Sequence, residues 1–459
     1  MVLYYLFPRK IQKYVLLAVS LAFYCSFGYK ALILMLVGTV IAYCGAHIID
    51  RVQSAKLKMT ALTVFVLLEA GMLIGLKYIS EVRERFSLVI PIGISFYTLS
   101  VIGYLIDVKR GKYKPEKNPF KFLLYVSYFP HILQGPIARY DMLAPQFDCE
   151  HKADYKALTF GIQLMLWGYI KKLVIADRVG IFVDTVYSDI YTKDGTVLFI
   201  AALLYTVQIY MDFSGCVDIA LGASELFGIK LTRNFSQPYM AVSINDFWKR
   251  WHISLSSWFR DYIYIPLGGN RKGVVRRWIN VLIVFAVSGF WHGVGISYTI
   301  WGLLHGLYQV IGAVLKPVRE KAAELFKIDK SRGAYKCFRT VVTFFLVNEA
   351  WIFFRITDFK QAVYVFVQSL CDFAPYRLTD GSLYNYGINV NQWHILIVFI
   401  AAAVIADILH EKQINIREAI SKQHIIVRWI IYLAAVFSIL LFGVYGIGYD
   451  AKSFIYMNF

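Results

Sequence analysis

The chain has 459 residues, of which 58% are hydrophobic and only 17% charged. Soluble globular chains run nearer to half apolar and about a quarter charged, so an ordinary water-soluble domain is excluded and lipid is the expected solvent. The net charge is +18, from 48 Lys and Arg against 30 Asp and Glu. No aromatic ladder interleaves the basic residues, which argues against a nucleic-acid partner and for basic loops on the cytoplasmic side of a membrane.

Taken in chain order, the first apolar stretch, residues 14–27, is followed at once by residues 31–46. The pair reads as a hairpin that stays in the membrane, not as a cleaved signal. Long apolar runs follow at 62–76, 88–106, 196–209, 278–290, 341–354, 395–408 and 425–446. A helix needs roughly 20 residues to cross about 30 Å of hydrocarbon. Windowing the whole chain predicts about ten to twelve spans, in one integral membrane domain over residues 1–459. Lysines and arginines cluster at 9–13, 51–58 and 109–121, each cluster two spans from the next. One side of the membrane can hold them all, which places the N-terminus in the cytoplasm. Six scattered cysteines show neither a CxxC nor a short Cys/His spacing, so no disulfide framework and no metal site is expected.

Three segments break the rhythm of spans. Residues 128–146, YFPHILQGPIARYDMLAPQ, carry three prolines among hydrophobics. Residues 210–222, YMDFSGCVDIALG, set Asp212, Ser214 and Asp218 inside an apolar helix. Residues 245–269, NDFWKRWHISLSSWFRDYIYIPLGG, pack three tryptophans, a histidine, three basic residues and two aspartates between apolar runs. Polar or irregular backbone at membrane depth survives only where protein or a water-filled cavity satisfies it, so a polar interior is expected. In the third segment Trp248, Trp251, Leu255, Trp258 and Tyr262 recur at 3–4 spacing, which predicts one continuous helical face with Arg250, Ser254 and Ser257 on another. Asp246 and Asp261 are expected to pair with Arg250 and Arg260.

Among residues suited to chemistry, His292 in SGFWHG follows an apolar run without a loop, and His252 sits in RWHIS. An ionisable group at membrane depth marks a pathway or reaction site by default, and imidazole moves protons near neutral pH. Read alone, each histidine serves equally well as a hydrogen-bonded bridge between helices. His305 is read as structural, and His131 as lining a cavity or bonding freed carbonyls. Ser95, after a proline and a glycine, could mark a helix break, though an interhelical hydrogen bond is the preferred reading. Lys171 and Lys172 could meet a phosphate-bearing donor, with snorkelling to an interface the preferred reading. No GxSxG, P-loop or GxGxxG occurs, so nucleotide-driven pumping has no support.

These pieces together resemble the membrane-bound O-acyltransferase family. NDFWKRWHISLSSWFRDYIYIPLGGN and SGFWHG carry the likeness, joined by PIGISFYTLSVIGYLID, FPHILQGPIAR, YIKKLVIADR, MDFSGCVDIALG, NEAWIFFR and SFIYMNF. The branch they resemble holds the alginate O-acetyltransferase membrane subunits and related exopolysaccharide and peptidoglycan acetylation proteins. That branch opens with a longer apolar lead-in, so the count of N-terminal spans is the point of departure.

The resemblance implies an all-α, polytopic transmembrane bundle with broken or re-entrant helices around a central polar channel. It implies His292 as the catalytic histidine and His252 as its second polar position. Asp246, Trp248, Arg250, Arg260, Trp291, Gln134, Asp212 and Ser214 are the residues expected to line the channel. The donor implied is acetyl-CoA or another acyl thioester, with no tightly bound cofactor. Implied partners are membrane lipids, an extracytoplasmic SGNH-type protein, and a polysaccharide acceptor reached directly or through it. The implied location is the bacterial cytoplasmic membrane. D-alanylation of teichoic acid, peptidoglycan O-acetylation, and a transporter or flippase using the same polar core remain open at this point.

Overall fold

The computed structural model describes residues 1–445, so the SFIYMNF motif and the last residue of the 425–446 run lie outside the described residues. Among the described residues every regular element is helical. Eight helices are long and apolar enough to cross a bilayer, or nine if the pair Ile296–Val314 and Lys316–Leu325, bent by 48°, includes one span. The protein is therefore an all-α, multi-pass membrane protein. The expectation of about ten to twelve spans also counted shorter elements. Arg9–Cys25 has 17 residues, and the 88–106 run becomes a 16-residue helix, Ile94–Lys109, after an irregular lead.

The chain divides into two compact units. One comprises Met1–Met165 with Val217–Arg233, the other Leu166–Cys216 with the chain from Asn234 onward. In the first unit, Arg9–Cys25 turns through Ser26–Gly28 into Tyr29–Arg51, and Ala55–Tyr78 follows. Small residues let these helices approach: a Cβ on Gly45 would lie 2.6 Å from the Phe65 ring. Ile94–Lys109 is buried along nearly its whole length, as a helix without a polar face must be. It starts where the PIG motif breaks the chain. Gly93 takes a left-handed φ of +73°, and a Cβ there would meet the Ile132 carbonyl at 2.0 Å. Only glycine fits that approach.

The segment beyond Asn118 is broken, as its prolines require. Asn118 caps Pro119–Ser127 by accepting from the Phe120 and Lys121 N–H groups. His131 bonds the Tyr125 carbonyl through Nε2 at 3.2 Å, so it satisfies backbone that the break sets free.

In the second unit a helical hairpin of Val274–His292 and Ile296–Val314 carries His292 at its tip. Two glycines bring the hairpin's backbones together. A Cβ on Gly302 would sit 2.1 Å from the Phe285 carbonyl oxygen, and one on Gly289 would sit 2.2 Å from that of Tyr298. Without a hydrophobic drive between helices in lipid, such close backbone contact is a main source of association. Gly333–Arg355 packs against the same hairpin.

Gly302→Val is expected to force the hairpin apart, at a cost of order 1–3 kcal/mol or more for an overpacked contact. Thermal melting in detergent should show a lowered midpoint. Gly312→Val, on the same helix with nothing within 4 Å of its Cβ position, should melt like the parent.

Candidate active site

The polar stretch at 245–269 is not one helix. Ser243 caps Ile244–Arg250 by accepting from the Asp246 N–H at 3.1 Å. The helix stops at Trp251, and His252 takes a left-handed φ of 44° before Ile253–Phe259 begins. The 3–4 spacing of the aromatics predicts continuity, and the turn overrides it. The backbone groups released by the turn are collected by a neighbouring strand-like segment: Ser236 N–H donates to the Arg250 carbonyl at 2.9 Å, and Ile253 N–H to the Asn234 carbonyl at 3.0 Å. The Asn234 side chain completes the clamp. Its Oδ1 lies 3.0 Å from Ser254 N, 2.9 Å from Ser254 Oγ and 3.3 Å from His252 Nδ1.

His252 is fully enclosed and His292 is 2% exposed. The two come together through one indole. The Trp291 ring centroid is 6.4 Å from that of His252 and 4.8 Å from that of His292. On its other sides His292 meets Trp301 at 5.1 Å and Phe354 at 5.2 Å. Trp301 in turn stacks on Trp351 at 5.5 Å. Phe213 stands edge-on to His252 at 4.8 Å. The pair of imidazoles thus sits in a buried, aromatic enclosure.

His305 occupies a similar cage without a role in that pairing. Trp248, Trp301, Phe247, Phe285, Tyr308 and Trp351 surround it at ring distances of 5.1–6.3 Å. Trp248 therefore supports the cage and not the His252–His292 pair.

The remaining residues singled out in the sequence separate into three places. Asp246 pairs with Arg250 at 3.1 Å, and Arg250 also binds Glu411 at 2.6 Å. The Glu411 and Asp246 carboxylates hold the guanidinium above its ordinary pKa. Arg260 is 63% exposed in its side chain and pairs with Asp261; it stands outside the aromatic enclosure. Both aspartates thus pair with arginine as expected. Gln134 belongs to the other unit, buried, with no partner for its amide among the described residues.

Asp212 and Ser214 meet the two lysines. Lys172 Nζ lies 2.6 Å from Asp212 and 2.8 Å from Asp177, and Lys171 donates to Ser214 Oγ at 3.3 Å. The snorkelling expectation is corrected here. Both lysines are buried, on a π-helical turn over Ile170–Ala176 that aims them at the Gly195–Glu225 helix instead of an interface. Such turns concentrate at functional positions. Asn234 is the site residue that sequence reasoning missed. Asn234 precedes the turn by 18 residues, with no local signal to tie it there.

A profile of the membrane-bound O-acyltransferase family matches residues 19–347, a span that holds both histidines and the whole clamp. The chain belongs to that family. Among curated relatives, a probable alginate O-acetylase of Pseudomonas fluorescens is 39% identical over 274 residues, covering 60% of this chain and 52% of that protein. A peptidoglycan O-acetyltransferase of Helicobacter pylori is 32% identical over 387 residues, covering 76% of this chain and 72% of its own. A teichoic acid D-alanyltransferase of Bacillus subtilis is 30% identical over 227 residues, covering 47% and 57%. The chain thus spans about half the length of the first of these family members.

Lys172→Met would remove the ammonium that meets the buried Asp212 carboxylate and the partly buried Asp177 carboxylate. Breaking a buried pair in this way costs about 3–5 kcal/mol, so a clear fall in melting temperature is expected. Lys172→Met combined with Asp212→Leu should recover part of the loss.

Proposed function

We propose that this protein is a membrane O-acyltransferase that draws an acyl group, acetyl, from a thioester donor for O-acetylation of a cell-surface or secreted polysaccharide. The observation that carries the reading is the meeting of two buried histidines on one tryptophan, in an aromatic enclosure. A neutral imidazole there takes the proton of an incoming hydroxyl as its oxygen attacks the thioester carbonyl carbon. A carbon–oxygen bond forms, the carbon–sulfur bond breaks, and the proton passes to the departing thiolate. The products are the ester and the free thiol, with no oxidant, reductant or resident cofactor required. His292, at the hairpin tip, is the proposed base; its ring is fixed by Trp291, Trp301 and Phe354.

Acetylation of a polysaccharide is preferred because a probable alginate O-acetylase is the relative with the higher identity, 39% against 32% and 30%. Peptidoglycan acetylation and D-alanyl transfer use the same hydroxyl chemistry on other acceptors. We further propose acetyl-CoA as the donor on the cytoplasmic side and the N-terminus on that side, as the basic clusters suggest. An extracytoplasmic SGNH-type partner would then move the acetyl group from that first ester to a polysaccharide hydroxyl, the new ester forming as the first alcohol is released, and the membrane would be the bacterial inner membrane.

The test uses membranes holding the full chain, its partner protein and acceptor polymer, supplied with labelled acetyl-CoA. His292→Ala should lower acyl transfer about 10²- to 10⁴-fold, the scale of a positioned general base, while the protein still inserts and elutes as the parent does. Undiminished transfer would remove His292 from the chemistry. A transporter using the same core would keep part of its activity in His292→Gln.

A further inference from the structure

We infer that Asn234 is a positioning residue that fixes His252 as its Nδ1–H tautomer, so that Nε2 carries the lone pair and faces the site as a proton acceptor. Three contacts on one oxygen decide the matter. Asn234 Oδ1 lies 3.0 Å from the Ser254 backbone nitrogen, whose hydrogen makes it a donor and nothing else. The atom at that position is therefore the amide oxygen. The reverse orientation would set an NH2 group against a backbone N–H at a buried position. The same oxygen lies 3.3 Å from His252 Nδ1. An amide oxygen only accepts, so Nδ1 holds the hydrogen and donates. In neutral imidazole one nitrogen bears the hydrogen and the other the lone pair, and the bond made by the first assigns the second.

The backbone is built to hold this arrangement. His252 is a non-glycine residue at a left-handed φ of 44°, a conformation that costs free energy and persists only where its surroundings enforce it. Asn234 enforces it from both of its groups, through its carbonyl on Ile253 N–H at 3.0 Å and its side chain on Ser254. A continuous helix through Trp251–Ile253 would carry the imidazole away from Asn234 Oδ1. The strained turn and the clamp together aim the ring, with Phe213 closing one side and Trp291 standing toward His292. His252 thus joins His292 as a second lone-pair nitrogen held in place before substrate arrives. That this lone pair serves acyl transfer rests on the acyltransferase reading; the tautomer itself does not.

The test separates the two. The full chain, labelled with nitrogen-15 in its histidine rings and held in lipid nanodiscs, is read by solid-state NMR at neutral pH. The His252 signals are assigned by their loss in His252→Gln. A protonated Nδ1 and a bare Nε2 are expected, and the opposite tautomer overturns the inference whatever the protein's activity. In Asn234→Ala the signals should become a mixture of tautomers, with kcat lowered about 10- to 100-fold and KM little changed, the scale found for outer partners that orient a histidine. Asn234→Asp keeps an acceptor for all three donors and, read at a pH high enough that the ring beside the new carboxylate is neutral, should restore both the single tautomer and most of kcat. A tautomer unmoved in Asn234→Ala, or no recovery of tautomer and kcat in a folded Asn234→Asp, removes the positioning role. If Asn234→Ala does not fold, the parent spectrum and the aspartate variant still decide. Should the parent chain transfer no acyl group, the acyltransferase reading fails and the NMR result stands alone.

Discussion

Gly302 rests against the Phe285 carbonyl and Gly289 against that of Tyr298, and the site follows from that backbone contact. A side chain at either glycine would hold the hairpin helices apart. Held together, they set His292 at the end of one helix beside Trp301 near the start of the other. Lipid offers no hydrophobic gain for pressing apolar helices together, so close packing of small residues has to supply it. The third helix, Gly333–Arg355, then closes the enclosure by laying Trp351 on Trp301 and Phe354 on His292.

Two kinds of polar group are buried around this frame, and they are stabilised differently. The lysine–aspartate cluster on the π-turn compensates charge with charge: Lys172 answers both Asp177 and Asp212. The turn at His252 is held instead by hydrogen bonds that Asn234 Oδ1 accepts from Ser254 and His252. The difference suits their places. A compensated cluster anchors helices, whereas a neutral imidazole with a defined tautomer keeps a lone pair that an ion pair would consume.

The same distinction explains why several charged residues of the 245–269 stretch do not enter the enclosure. Arg250 reaches Asp246 and Glu411, and Arg260 stays exposed beside Asp261. A guanidinium is too costly to bury without a carboxylate, and each of these arginines has one beside it. The aromatic residues of the stretch go inward instead, where Trp248, Trp251 and Trp258 are all buried.

Much of this was legible in the chain alone. Apolar runs with few charges determine that the protein lives in lipid and is helical, because no other open structure satisfies its own backbone there. The prolines at 130, 136 and 145 determined a break, and two histidines beside apolar runs marked the candidate site. The turn at Trp251–His252 was not legible, since aromatic spacing reports only which residues would share a face if the helix continued. Nor was the inward aim of Lys171 and Lys172, which a single sequence cannot tell from snorkelling. Those outcomes rest on bonds between residues 18 and 40 positions apart, Asn234 to His252 and Lys172 to Asp212. Local pattern encodes which groups seek burial. Only the tertiary structure decides which partner each one finds, because that choice is made by the packing of helices distant in sequence.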